Sequence, residues 1–174
     1  EKLLIFFLLT TLSSAIAQSF LNGSFEICST TDCRFNINNQ IYNSFMTNVR
    51  GIGNMQSLDI LNDIDCPNFG EAEDGHYYTT LENTNDSNSS TAISLELSDA
   101  LQIGQSYSFS FYDRSLFGLN GGPIEIGVSS DDSTFGTLVY TTPSLSNSSW
   151  TQRYVSFISP ITGNYITARY KYNN

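Results

Sequence analysis

Residues 91–115 constrain the fold of this chain more than any other stretch. Apolar residues take every second position in both halves, with serine or glutamate between them: Ile93, Leu95 and Leu97, then Tyr107, Phe109 and Phe111. Side chains of a strand point to opposite faces in turn, so each half predicts a strand with one apolar face. Asp99 and Gly104, which suit turns, lie between the halves. We therefore expect two antiparallel strands, each covering one side of a core.

Short strand-like segments, separated by turn residues, follow one another along the chain. They are 20–27, 41–46, 57–60, 76–81, 124–128, 137–142, 150–158 and 165–172. Residues 29–39 and 49–54 have the composition of loops. No window of ten residues or more has the spacing of an amphipathic helix. This pattern predicts an all-β antiparallel sandwich that spans residues 18–174 as one domain.

The N-terminus has the pattern of a secretory signal peptide. Lys2 precedes the apolar run 3–12, and the small-x-small sequence Ala15-Ile16-Ala17 follows it, which predicts cleavage after Ala17. A membrane anchor is the alternative, but the run is shorter than the ~20 residues that span a bilayer. We expect a secreted or cell-surface protein whose mature chain has no membrane span.

The charge of the chain argues against one class of partner. Its formal net charge is -10, its pI is near 4.2, and only 7 residues are Lys or Arg. Nucleic-acid binding needs basic residues to contact phosphates, so we expect no nucleic-acid partner. An acidic surface is typical of soluble exported proteins, and also of proteins that bind cations such as calcium.

Three cysteines leave two pairings open. An oxidising compartment permits one disulfide and leaves one thiol over. Cys28 and Cys33 flank a short loop and favour local pairing, whereas a Cys33–Cys66 bridge would clamp the N-terminal arm to a later loop. No spacing typical of a zinc site occurs.

Four sequence motifs occur in a recognisable order. They are NGSFE at 22–26, Asp74-Gly75 before aromatic residues, Leu97, Leu101, Gly104 and Tyr107 in sequence, and Trp150 with Val155 and Phe157. In this order they resemble the galactose-binding-like jelly rolls, especially carbohydrate-binding-module-like domains of exported Bacteroidetes proteins. Such domains usually finish with a further strand that carries an Asp-Asn or Asp-Asp pair. We therefore expect a C-terminally incomplete domain, with its last strand truncated, from a larger polypeptide.

The resemblance implies a structural calcium ion where the first and last strands meet. Glu26 is the best candidate ligand and Asp74 the second, because calcium takes carboxylate and carbonyl oxygens. The alternative for Glu26 is a surface carboxylate that caps a strand end. A second oxygen-rich cluster, made of Asn62, Asp63, Asp65 and Asn68, lacks the glycine and final glutamate of an EF-hand loop and reads as an acidic connection.

Glycan binding, which the resemblance also implies, needs an exposed aromatic ring with polar groups beside it. Phe117 lies in a glycine-rich loop, and Asp113 and Arg114 precede it as partners for sugar hydroxyls. Trp150 is a further candidate, although core or strand-edge packing is the favoured interpretation for it.

Catalysis has little support in the sequence. His76 is the only histidine and no Gly-x-Ser-x-Gly motif occurs. Our leading hypothesis is a non-catalytic module that binds glycan or serves in adhesion. A purely structural accessory domain is the second hypothesis, and a glycoside hydrolase with acidic-loop carboxylates is the third.

Overall fold

The computed structural model describes residues 17–53, 57–81, 91–115, 122–144 and 148–170. These residues form short strands with one α-helix and one turn of 3-10 helix. In chain order they are β1 (Arg34–Ile37), α1 (Asn39–Phe45), β2 (Val49–Ile52), β3 (Leu58–Asn62), the 3-10 turn (Pro67–Phe69), β4 (Tyr77–Thr80), β5 (Ala92–Leu101), β6 (Ser106–Asp113), β7 (Ile124–Ser129), β8 (Thr137–Thr141), β9 (Thr151–Ile158) and β10 (Gly163–Tyr170). None of the helices in this described part is long and apolar enough to cross a membrane.

The strands pair antiparallel in three sheets that pack into a sandwich. The largest sheet has the order β2-β5-β10-β7-β8, the second has the order β1-β3-β4, and β6 pairs with β9 as a two-stranded ribbon. Ile93 and Leu97, on one face of β5, belong to two different core clusters. The β3 sheet and α1 cover the first cluster, and the ribbon covers the second. Both smaller sheets therefore cover the same face of the large sheet, which confirms the predicted all-β antiparallel sandwich.

The stretch that dominates the sequence crosses from one layer of the sandwich to the other. β5 pairs with β2 and β10, whereas β6 pairs with β9, so the two strands are not partners of each other. Leu97 and Leu101 of β5 pack in the same core as Phe109 and Phe111 of β6. The expectation that each strand covers one side of a core is confirmed.

The short strand expected at 41–46 is wrong, because residues 41–45 belong to α1 and Met46 is its C-cap residue. The side chain of Asn38 accepts a hydrogen bond from the Ile41 N–H (2.9 Å) and caps α1. Tyr42 and Phe45 then have the i, i+3 spacing of a helix face, and they pack in one core cluster with the C-cap residue Met46. Burial of that face stabilises a helix too short to be stable alone.

Three other segments also differ from expectation. Residues 20–27 form turns with only isolated bridges at Phe20 and Cys28, where a strand was expected. The expected loops at 29–39 and 49–54 instead contain β1 and β2, which are edge strands of their sheets. A four-residue edge strand is stabilised mainly by its neighbour, so its own sequence carries a weak signal.

The disulfide joins Cys33 to Cys66 and leaves Cys28 free, so the favoured Cys28–Cys33 pairing is wrong. Cys33 directly precedes β1 and Cys66 follows β3, and the antiparallel pairing of these strands brings the two residues together. Their Cα atoms are 6.3 Å apart, within the usual range for a disulfide. The backbone of Cys28 instead forms an isolated antiparallel β-bridge with Met46, at the C-terminal end of α1. Long-range strand pairing therefore selects the second of the two alternatives.

Candidate functional site

The residues predicted to contact glycan lie at one end of the β6–β9 ribbon, where they hold the chain's own backbone. The guanidinium carbon of Arg114 lies 5.1 Å from the ring centre of Tyr78 and 4.6 Å from that of Trp150. Arg114 donates a hydrogen bond to the Phe69 carbonyl (2.6 Å), and the Trp150 indole donates one to the Glu71 carbonyl (3.0 Å). Trp150 thus shows the strand-edge packing that was its favoured interpretation. Phe117 lies outside the described residues.

Asp113, the third predicted glycan contact, is buried in an ion pair. Its carboxylate accepts a hydrogen bond from the Arg153 Nε at 2.8 Å, and the two side chains are 8% and 13% exposed. The structure therefore brings Asp113 to Arg153, away from the surface where a sugar hydroxyl would meet it. A buried charge of this kind is retained only with its partner.

The predicted calcium ligand Glu26 lies at the start of β4. Its Oε1 accepts hydrogen bonds from the backbone N–H groups of His76 (2.8 Å) and Tyr77 (2.7 Å), so it caps a strand end. Gly75 has φ +66, and a Cβ there would collide with the Glu26 carboxylate. Asp74, the second candidate, is exposed. Among the described residues no group of three or more metal-binding side chains gathers, and the calcium site stays a prediction.

Residues of the second oxygen-rich cluster and His76 also have local partners. Asn62 is buried, and its Oδ1 accepts hydrogen bonds from the N–H groups of Ile64 and Asp65. The Asp65 carboxylate accepts one from the Cys33 N–H. His76 Nδ1 lies 2.9 Å from Asp63 Oδ1 at the surface, with the histidine side chain 56% exposed. These contacts organise the loop beside the disulfide.

A cleft that the sequence did not single out lies on the outer face of the large sheet. Because alternate side chains of a strand share a face, the outer face carries the polar residues of the central strands. Ser94 lies opposite Arg50 on β2 and opposite Thr167 on β10, and Glu96 lies opposite Tyr165. Arg50 on β2, Ser94 and Glu96 on β5, and Tyr165 on β10 thus form the floor.

Two walls turn this floor into a cleft of about 310 Å³. One wall is the C-terminal part of α1 with the following residues, from which Asn43, Met46 and Asn48 line the cleft. The other is the β7–β8 turn, which folds over the sheet. Gly127 permits this approach, since a Cβ there would collide with Phe135 and Thr167, and the Thr167 hydroxyl donates to the Phe135 carbonyl at 2.6 Å.

Charged groups from the two edges of the cleft meet across it. Arg50 on β2 forms an ion pair with Asp132 in the β7–β8 turn. Glu96 also lines the cleft, and no Lys or Arg among the described residues lies within ion-pair distance of it. The described lining therefore carries two carboxylates and one guanidinium group, so it is negative.

Two uncharged hydroxyls complete the floor of the cleft. Ser94 is only 1% exposed, and its Oγ has no hydrogen-bond partner in the described part of the chain. Burial raises the pKa of Tyr165, and the negative charges of Glu96 and Asp132 raise it further while Arg50 lowers it. The phenol therefore stays protonated at neutral pH as a hydrogen-bond donor and acceptor. The site offers one aromatic ring beside several groups able to bind hydroxyls.

The sequence held part of the signal for this cleft. Ser94 and Glu96 are the polar positions of a strand that the alternation predicted, and Tyr165 opens another predicted strand. What the sequence lacked was the pairing of β5 with β10 and β2, which alone makes these residues neighbours.

Comparison with known proteins adds no identity. A scan against protein-family models finds no family that matches the chain, and a search of curated proteins finds no match. The galactose-binding-like resemblance therefore stays a prediction, while the antiparallel β-sandwich rests on the strand pairing itself.

Proposed function

We propose that this protein is a non-catalytic β-sandwich module that binds glycan in the cleft on the outer face of its large sheet. One observation carries the proposal: the cleft gathers the Tyr165 ring with hydrogen-bonding side chains on a concave floor of strands. Saccharides present an apolar ring face and many hydroxyls, so they need an aromatic surface flanked by polar groups. A cleft of about 310 Å³ is at the small end of ligand sites, and it suits one or two sugar units of a longer chain.

The proposal moves the glycan site away from the residues that the sequence favoured. Each of the three contacts another part of the chain: Asp113 pairs with Arg153, and Arg114 donates to the Phe69 carbonyl and packs over the Trp150 ring. Phe117 keeps its place as a competing site that experiment must separate from the cleft.

The module acts outside the cell in this proposal, at the surface or in the medium, as part of a larger polypeptide. The predicted cleavage after Ala17, the resemblance to domains of exported proteins and the Cys33–Cys66 disulfide support that address, since disulfides persist in oxidising compartments. The second candidate is a purely structural accessory domain, in which the cleft has no ligand.

Binding to a panel of polysaccharides, measured by glycan array and affinity electrophoresis, tests the proposal. Removal of a central aromatic contact costs about 2 kcal/mol, so Tyr165→Ala should weaken binding by about 30-fold. Tyr154→Ala is the matched control, because Tyr154 is 71% exposed on the ribbon, away from the cleft. Thermal unfolding of each variant shows whether the sandwich remains intact.

Three outcomes would contradict the proposal in different ways. Absence of binding to every polysaccharide favours the structural accessory domain. Loss of binding with Phe117→Ala but not with Tyr165→Ala places the ligand at the predicted loop. Release of new reducing ends from a bound polysaccharide, abolished by Glu96→Gln, identifies a hydrolase.

A further inference from the structure

The charge of the cleft and one buried hydroxyl define the chemical class of its ligand. We infer that the cleft selects an uncharged saccharide, one of whose hydroxyls bonds to Ser94, and that it discriminates against uronic and sulfated glycans. The inference rests on the proposed glycan-binding function and goes beyond it by assigning the ligand class and a specificity-determining residue.

The argument for Ser94 starts from its missing partner. A buried hydroxyl without a hydrogen bond costs roughly 1–3 kcal/mol, so such groups are rare in folded proteins. Of its neighbours across the sheet, Thr167 already donates to the Phe135 carbonyl and Arg50 pairs with Asp132. Ser94 lies at the floor of the cleft and is therefore left to a group that enters from outside.

The argument for an uncharged ligand comes from the groups that surround that hydroxyl. The cleft's one guanidinium, on Arg50, is neutralised by Asp132, while Glu96 faces the cleft without a cation beside it in the described chain. The Asp131 carboxylate, which accepts hydrogen bonds from Ser133, adds a negative charge next to Asp132. A carboxylate or sulfate in the cleft would meet like charges, and the formal net charge of -10 opposes its approach.

A sugar hydroxyl avoids both penalties. It can donate to Glu96 or Asp132 and accept from Arg50 without the desolvation of a second charge. A site that hydrogen-bonds a ligand hydroxyl also rejects analogues that lack it, because the buried protein group is then left unpaired. Ser94 is therefore the residue through which the cleft distinguishes saccharides that place a hydroxyl at this depth.

Matched polymer pairs test the inference. The probes are hydroxyethyl cellulose with carboxymethyl cellulose, dextran with dextran sulfate, and methyl-esterified with de-esterified polygalacturonan, each compared by affinity electrophoresis at low and at high salt. Within any pair that is bound, the neutral member should bind at least about tenfold more tightly at low salt. The ratio should shrink at high salt because ions screen the cleft charges.

Two variants separate the charge from the hydroxyl. Glu96→Gln keeps the shape of the side chain, so the preference for the neutral polymer should fall severalfold. Ser94→Ala should weaken neutral binding by about tenfold, while the thermal unfolding midpoint stays the same or rises, because the removed hydroxyl has no partner in the free protein. Thr137→Ala, at an exposed position of β8, is the matched control and should change neither property.

The outcomes distinguish this inference from the proposed function. Equal or tighter binding of the anionic polymers, with loss on Tyr165→Ala, overturns the inference and leaves glycan binding in the cleft intact. Ser94→Ala that lowers the unfolding midpoint without changing binding overturns the role of Ser94. If the protein binds no member of any pair and no polysaccharide of the wider panel, both the inference and the proposed glycan-binding function are overturned.

Discussion

Reduction of the Cys33–Cys66 disulfide should destabilise the sandwich by an amount set by the length of the loop that it closes. The two residues are separated by 33 positions. The chain-entropy relation for a closed loop of that length gives about 3.7 kcal/mol at 25 °C. For a domain of this size each kcal/mol shifts the melting temperature by roughly 2–4 °C, so we expect a decrease of roughly 7–15 °C.

The assay compares thermal unfolding of oxidised protein with that of protein reduced in denaturant and refolded under reductant. Cys28→Ala is the control for pairing, because Cys28 is free and its removal should leave the response to reductant unchanged. A Cys33→Ala/Cys66→Ala double variant should lose the response altogether.

Two results would refute the reasoning about the disulfide. If Cys28→Ala abolished the response, the bond would involve Cys28; the Cys28–Cys33 alternative closes a short loop that gives only about 2 kcal/mol by the same relation. If the wild type showed a decrease below roughly 2 °C, the loop would be held by its other contacts, and the entropy of the unfolded chain would not be the main effect.

Two further predictions concern buried polar groups. Asp113→Asn should lower the free energy of unfolding by about 3 kcal/mol in denaturant titrations, because Arg153 is left as a buried unpaired charge. The control Asp32→Asn removes the exposed ion pair with Arg34 and should cost less than about 1 kcal/mol. Equal costs for the two variants would contradict the argument. Burial raises the pKa of Tyr42 above that of an unfolded tyrosine, because the folded protein favours the protonated phenol. The contribution of this phenol to the free energy of unfolding is therefore complete below about pH 10 and is lost as the pH rises further. Above pH 10, Tyr42→Phe should therefore reduce the slope of the free energy of unfolding against pH by up to about 1.4 kcal/mol per pH unit. The control Tyr154→Phe, at an exposed position, should leave this slope unchanged, and identical slopes for the two variants would contradict the argument.

The strands with strong alternation were predictable, and the weak elements were not. Residues 92–101, 106–113, 124–129 and 151–158 are strands, as the spacing of their apolar residues indicated. α1 was missed because it has only seven residues, of which Tyr42 and Phe45 alone mark its buried face. β1 and β2 were missed because short edge strands take their stability from a neighbour.

The residues of the candidate site were likewise predictable only in part. The sequence identified Trp150 and Arg114 as residues able to contact a glycan. It could not show that they instead contact Tyr78 and the backbone carbonyls of Phe69 and Glu71. It assigned Ser94 and Glu96 to a polar strand face but could not show which residues of the neighbouring strands lie beside them.

The amino-acid sequence by itself determined the sandwich class, since the period-two alternation of apolar residues leaves each long strand one face to bury. It also determined the acidic charge, from which we predict that nucleic acid is not a partner. Only the tertiary structure decided which cysteines bond and which polar residues share a cleft. The physical reason is that both depend on strand register: pairing of β1 with β3 brings Cys33 to Cys66, and pairing of β5 with β2 and β10 brings Ser94 between Arg50 and Thr167. Register over such distances is set by the packing of the whole sandwich, and no local pattern encodes it.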